Sequence, residues 1–142
     1  MLLTIDAGNT NIVFAIFDKE SRTQQNQWRI STSVDRTADE YFVWLNQLMR
    51  HDGLDPSAID GSIISTVVPL ALFNLRSLCR NYFNSDPLVV GDSKTDVNAA
   101  RAAGVPVLGV SYGYNMGRPI SELKPDAAVD SLCELPTLIS ED

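Results

Sequence analysis

The stretch from residue 87 to residue 96 constrains the fold more than any other part of the sequence. A short apolar run at residues 88–90 ends at Gly91, and an alanine-rich segment at residues 97–103 follows soon after. This order predicts a buried strand, a tight turn and the first turn of a helix. Strands that alternate with helices in this way are typical of a parallel α/β sheet.

Two carboxylates, Asp92 and Asp96, lie in the turn of this stretch. They are four residues apart, so at the start of a helix they share one face, close to unpaired backbone N–H groups. Carboxylate oxygens suit Mg²⁺, and a helix N-terminus suits phosphate, so both residues are candidate metal ligands. The alternative is that Asp92 or Ser93 only caps the helix, and the spacing does not separate the two interpretations.

The remaining elements follow from hydrophobic periodicity and turn signals. Strands are predicted at residues 2–5, 12–17, 27–31, 61–68, 88–90, 107–110 and 127–129, with a polar loop at residues 21–26. Helices are predicted at residues 38–50 (with Thr37 or Ser33 as the N-cap), 70–83, 95–103 (ended by Gly104), 120–123 and 133–139. The fold class is therefore α/β, as a single three-layer domain over residues 1–142. Its mixed sheet of about seven strands has an antiparallel meander at one edge and parallel βαβ units at the other.

Each of the two long helices has a predicted inward face. In the first helix this face comprises Tyr41, Val43, Trp44, Leu45, Leu48 and Met49. In the second it comprises Leu72, Phe73, Leu75, Leu78, Cys79 and Tyr82.

Composition narrows the class of protein. The 142 residues are 44% hydrophobic and 20% charged, which is typical of a globular domain, and the net charge of −7 argues against binding to nucleic acid or an anionic membrane. No apolar run reaches the roughly 20 residues of a membrane span, and the N-terminus lacks a basic leader, so a cytoplasmic location is expected. Cys79 and Cys133 are expected to be reduced thiols, and His51 to be exposed.

The first 90 residues or so resemble the opening of type III pantothenate kinases. The resemblance lies in Ile5-Asp-Ala-Gly-Asn-Thr-Asn-Ile12, Gln27-Trp-Arg-Ile-Ser-Thr32, Arg36-Thr-Ala-Asp-Glu40 and Ile64-Ser-Thr-Val-Val-Pro69. It implies the actin, sugar kinase and Hsp70 type of fold, with ATP and Mg²⁺ as cofactors. It also implies that a hairpin of Gly8, Asn9, Thr10 and Asn11 binds phosphate, with Asp6 near the metal. The alternative for this motif is an ordinary Gly-Asn hairpin turn.

Residues from about 89 onward resemble the C-terminal part of a haloacid-dehalogenase-type phosphatase, similar to phosphoglycolate phosphatase. The resemblance lies in Val90-Gly-Asp-Ser-Lys-Thr-Asp-Val97, Ala99-Ala-Arg-Ala-Ala-Gly104 and Gly109-Val-Ser-Tyr-Gly-Tyr-Asn115. In that family the Gly-Asp-Ser corner binds Mg²⁺. The resemblance therefore implies Asp92 as a ligand and Asp96 as its support.

Neither resemblance includes a complete catalytic set, so no catalytic residue is assigned. The kinase family needs a second domain that is not expected here, and the phosphatase family needs an aspartate pair and a lysine without counterparts in this sequence. We therefore expect an engineered chimera of a kinase-like segment (residues 1–90) and a phosphatase-like segment (residues 91–142). Its predicted function is that of a scaffold, a monomer or homodimer, with weak binding of Mg²⁺ and phosphate or a nucleotide. The alternatives are ATP-dependent phosphorylation of pantothenate and Mg²⁺-dependent phosphatase activity.

Overall fold

The computed structural model describes residues 1–135 as one sheet covered by helices. The strands are β1 (Leu2–Ala7), β2 (Asn11–Phe17), β3 (Gln24–Ser31), β4 (Gly61–Thr66), β5 (Leu88–Gly91), β6 (Val107–Val110) and β7 (Ala127–Val129). The α-helices are α1 (Ala38–His51), α2 (Pro69–Tyr82) and α3 (Lys94–Ala103), and 3₁₀ turns occur at Pro56–Ala58, Ile120–Leu123 and Leu132–Glu134.

The sheet has the spatial order β3-β2-β1-β4-β5-β6-β7. β1, β2 and β3 pair as an antiparallel meander, whereas β1, β4, β5, β6 and β7 are all parallel. The predicted α/β class and mixed sheet, with a meander at one edge and parallel units at the other, are confirmed. Across residues 1–135, no helix combines the length and the apolar character that crossing a bilayer requires.

All three α-helices cover the same face of the sheet. Each crossover moves along the sheet in the same direction, and right-handed crossovers then place their helices on one side. Side chains of all three helices, such as Tyr41, Leu72 and Val97, belong to one buried cluster with Ile5 and Val89 of the sheet. Among the described residues the α-helices thus form one layer, whereas the predicted three-layer domain would place helices on both faces.

The opposite face of the sheet has a smaller apolar cluster around β6. Leu108, Val110 and Val129 are buried there. Leu135, at the end of the described chain, packs against them together with Val90 of β5. The predicted helix at residues 133–139 begins in this region, but most of it lies outside the described residues.

The ends of the helices follow the capping signals in the sequence. The Thr37 hydroxyl accepts a hydrogen bond from the Glu40 N–H, and the Glu40 side chain accepts one from the Thr37 N–H, which forms a capping box. Helix α3 ends at Gly104, which has the left-handed conformation (φ 65°) that favours glycine. Thr37 as the N-cap of α1 and Gly104 as the terminator of α3 are therefore confirmed.

The predicted inward faces and the start of β3 need four corrections. Val43 of α1 is 67% exposed and Phe73 of α2 is 62% exposed, because the helical repeat places each on the side of its helix opposite the buried residues. Tyr82 is also exposed. Its ring stacks on that of Phe42, with the ring centroids 4.0 Å apart, at the surface between α1 and α2. Strand β3 begins at Gln24, because pairing with β2 extends its ladder through polar residues that were predicted to form a loop.

The two cysteines are free thiols, as predicted. Cys79 lies in the core, and burial raises the pKa of its thiol to about 11, so it remains protonated at neutral pH. Cys133 is exposed, and the His51 side chain is exposed at the end of α1, also as predicted.

A carboxylate after α1 joins the helix to the meander. The Asp52 side chain accepts hydrogen bonds from the His51 ring (2.9 Å), the Trp28 indole N–H (2.8 Å) and the Asn26 amide (2.7 Å). Hydrogen bonds from His51 and Trp28 lower the pKa of Asp52. Since the folded state favours the ionised form, this contribution to stability is present above the ordinary pKa and is lost as the pH falls through the lowered one.

We therefore predict that Asp52→Asn weakens the pH dependence of stability. Between pH 6 and pH 3 the parent protein should lose stability partly by protonation of Asp52, whereas the variant cannot lose this part. Urea unfolding across that range measures the difference, with Glu20→Gln in an exposed turn as the charge-matched control. Parallel pH profiles for Asp52→Asn and the parent protein would contradict the assignment.

Candidate phosphate-binding edge

The carboxyl ends of the parallel strands form one edge of the sheet. The register places Ala7 of β1 beside Thr66 of β4, and Gly91 of β5 beside Gly109 of β6. The β1–β2 turn lies at the same edge, because Ala7 pairs with Ile12. In open α/β sheets, ligands bind beyond this edge. Asp6, the hairpin turn, Thr66 and Asp92 therefore lie along one edge.

The turn between β1 and β2 is a short loop fixed by its own backbone. The Gly8 N–H donates to the Asn11 carbonyl at 3.0 Å, and a Cβ at residue 8 would come within 3.1 Å of that oxygen. The side chains of Asn9, Thr10 and Asn11 are exposed. The predicted hairpin is confirmed, and its five candidate residues, Asp6 and residues 8–11, lie together.

The residue after β3 fixes this turn from the side. The Thr32 hydroxyl donates to the Gly8 carbonyl at 2.7 Å, and the Thr32 N–H donates to the Thr10 carbonyl at 2.9 Å. Sequence reasoning gave Thr32 no role. A signal was available, since a threonine directly after the third strand of a meander lies beside the β1–β2 turn.

Asp6 presents its carboxylate on the face of the sheet opposite the helices. Along β1, Ile5 and Ala7 are buried under the helices, and Asp6 between them is exposed because strand side chains alternate. Ser65 of β4 is the parallel neighbour of Asp6 and is also exposed. Asp6 thus lies directly before the hairpin turn, with its carboxylate open to solvent.

The corner after β5 is a helix cap. One Asp96 carboxylate oxygen accepts from the Asp92 N–H (3.0 Å), the Ser93 N–H (3.0 Å) and the Ser93 hydroxyl (2.8 Å). Ser93 is the N-cap of α3 and forms a capping box with Asp96. The capping interpretation of this stretch is therefore confirmed at Ser93, and the oxygen of Asp96 that faces the corner is already occupied by three donors.

The Asp92 carboxylate organises the loop between β6 and the next 3₁₀ turn. Its Oδ2 accepts from the Tyr114 N–H at 3.0 Å. A Cβ at residue 113 would come within 2.2 Å of the same oxygen, so only glycine allows the loop to approach. This link between distant segments was not predicted, although a glycine between two tyrosines was a visible signal for a close backbone approach.

The three predicted metal ligands do not form a cluster. Asp92 and Asp96 share one corner, but Asp6 is on β1, and β4 lies between β1 and β5. Residues 1–135 contain no group of three or more histidine, cysteine, aspartate or glutamate side chains arranged to hold a metal ion. Mg²⁺ is commonly bound by one or two carboxylates together with substrate phosphates, and Asp6 beside the hairpin fits that kind of site.

We predict that Gly91→Ala disrupts the α3 cap. A Cβ at residue 91 would lie 2.2 Å from the Asp96 Cβ and 2.9 Å from its Oδ2, so the cap must move. The expected loss in the free energy of unfolding is about 1–3 kcal/mol, as for other overpacked sites. Gly61→Ala is the control, because its Cβ would meet only flexible side-chain ends at 3.4 Å or more. Equal urea unfolding midpoints for the two variants would contradict this account.

Comparison with known proteins places most of the chain in one family. The family model for type III pantothenate kinase matches residues 2–104. The type III pantothenate kinase of Rhodospirillum rubrum is 52% identical over 97 residues, which are 68% of this chain and 37% of that protein. The one of Caulobacter vibrioides is 56% identical over 93 residues, which are 66% of this chain and 35% of that protein. The chain thus spans about a third of the length of these relatives, and the predicted kinase resemblance is confirmed.

Solved structures of phosphatases resemble the chain in part. A predicted phosphoglycolate phosphatase from Haemophilus somnus has a TM-score of 0.44 at 20% identity, over 69% of this chain and 55% of that one. A putative phosphatase from Clostridium difficile has a TM-score of 0.44 at 23% identity, over 68% of this chain and 47% of that one. These structural similarities are too partial to say anything about the activity of this chain.

Proposed function

This chain belongs to the type III pantothenate kinase family, and we propose that it binds the phosphate tail of a nucleotide, together with Mg²⁺, at the β1–β2 hairpin. In this role the chain is a binding scaffold without a complete active site. The observation that supports it most directly is the geometry of the hairpin. Gly8 brings the backbone close, Thr32 fixes the turn, and exposed amide and hydroxyl groups surround it at the edge of the sheet.

Charge sets the expected affinity. The net charge of −7 disfavours a bare polyphosphate, so binding requires local donors and a cation. Asp6 is the residue that would hold Mg²⁺ beside the phosphates, and the bound ion would neutralise part of their charge. Since one carboxylate is a weak metal site without phosphate, metal and phosphate should bind together.

The second proposal is ATP-dependent phosphorylation of pantothenate. Membership of the kinase family favours it. Because the chain spans about a third of the length of its relatives, the question is whether this part phosphorylates pantothenate by itself. An ATP-coupled assay with pantothenate tests it directly, and in the scaffold account the rate does not exceed that of a protein-free control.

We further propose that residues from about 91 onward come from a phosphatase-like parent joined to the kinase-like segment by engineering. The resemblance of residues 90–97 to the phosphatase corner supports this origin, and the match to the kinase family model, which extends to residue 104, overlaps that motif. Release of phosphate from phosphoglycolate would show that this segment retains activity, which the scaffold account does not predict.

An NMR titration with Mg²⁺ and tripolyphosphate tests the binding proposal. We expect saturable amide shifts at residues 8–11, and at least about fivefold weaker binding for Asp6→Asn because a charged contact is lost. Glu20→Gln is the control, because it removes the same charge. Glu20 is exposed beyond the end of β2, at the opposite edge of the sheet.

Two results would overturn the proposal. One is the absence of shifts at residues 8–11 in a well-dispersed spectrum at millimolar ligand. The other is equal weakening by Asp6→Asn and Glu20→Gln, which would indicate that only overall charge matters.

A further inference from the structure

The loop after β6 exposes three large side chains at the same edge of the sheet. Tyr112 is 49% exposed, Tyr114 is 76% exposed and Met116 is 82% exposed. Single exposed apolar residues are ordinary, whereas here three large exposed side chains occur within five residues of one loop. The roles described above for the β1–β2 hairpin and the α3 cap do not account for these exposed aromatic rings.

The loop is fixed by hydrogen bonds at several points. Its Tyr114 N–H donates to Asp92, and the Ser111 N–H donates to the Val129 carbonyl at 3.0 Å. Farther along, the Asn115 side-chain amide donates to the Arg118 carbonyl at 2.8 Å. The backbone that bears the two tyrosines is therefore placed before any ligand arrives, which lowers the entropy cost of binding.

The position of the loop relative to the hairpin is set by the sheet. β4 and β5 lie between β1 and β6, so the ends of β1 and β6 are three strand spacings apart, or about 14 Å. An extended nucleoside triphosphate has a comparable length between its base and its last phosphate. The edge thus has the β1–β2 turn at one end and aromatic rings at the other.

We infer that Tyr112 and Tyr114 stack against the base of a nucleotide whose phosphates contact the β1–β2 hairpin. This inference rests on the proposed phosphate site and adds the place of the base. Stacking needs no particular hydrogen-bond pattern, so purine nucleotides should bind alike. The net charge of −7 favours a single nucleotide with its cation over a nucleic acid strand.

The test compares Mg²⁺-ATP, Mg²⁺-GTP and Mg²⁺-tripolyphosphate by calorimetry or NMR titration. We expect the double variant Tyr112→Ala/Tyr114→Ala to bind both nucleotides about tenfold more weakly while its affinity for tripolyphosphate stays unchanged. Replacement of both tyrosines by phenylalanine should retain nucleotide affinity, because the rings remain. Phe73→Ala is the matched control, since it removes an exposed aromatic ring on α2.

The outcomes distinguish the stacking inference from the phosphate-binding proposal on which it rests. If tripolyphosphate binds and the double alanine variant retains full nucleotide affinity, the stacking inference is wrong and the phosphate site stands. If neither nucleotide nor tripolyphosphate binds the parent protein, the phosphate site itself is wrong and the inference falls with it. A loss of nucleotide affinity in Phe73→Ala equal to that of the double variant would also overturn the assignment of the base to this loop.

Discussion

The parallel pairing of β5 with both of its neighbours is the constraint on which one edge of the sheet depends, the edge formed by the carboxyl ends of the parallel strands. Val89 pairs with Ile64 of β4 on one side and with Val107 of β6 on the other, and its side chain is buried. This strand lies where the kinase-like and phosphatase-like resemblances meet. Because its ladder is continuous on both sides, the hairpin turn and the tyrosine loop belong to one edge.

Two close approaches complete that edge. Gly91 allows Asp96 to close the cap of α3, and Gly113 allows the tyrosine loop to reach Asp92. Acidic residues at this corner therefore act mainly as hydrogen-bond acceptors for backbone N–H groups. Asp6, on the open face of β1, is the carboxylate that remains available beside the hairpin.

Local patterns predicted the elements well, because they depend on neighbours in the sequence. The limits of β6 and the ends of α1 and α3 at Thr37 and Gly104 followed from apolar runs and caps. Features set by distant contacts were missed. The helices cover one face because of crossover direction, β3 is lengthened by its partner β2, and the Asp92–Tyr114 contact joins residues that only the folded sheet brings together.

Native-state hydrogen exchange across β4, β5 and β6 tests the central claim, that one continuous sheet joins the hairpin to the tyrosine loop. If the sheet is a single cooperative unit, the slowest amides of the three strands exchange with the same free energy of opening, equal to that of global unfolding. If the amides of β6 open at a much lower free energy than those of β4, the two segments fold separately. The shared edge, and the binding site proposed along it, would then not exist as described.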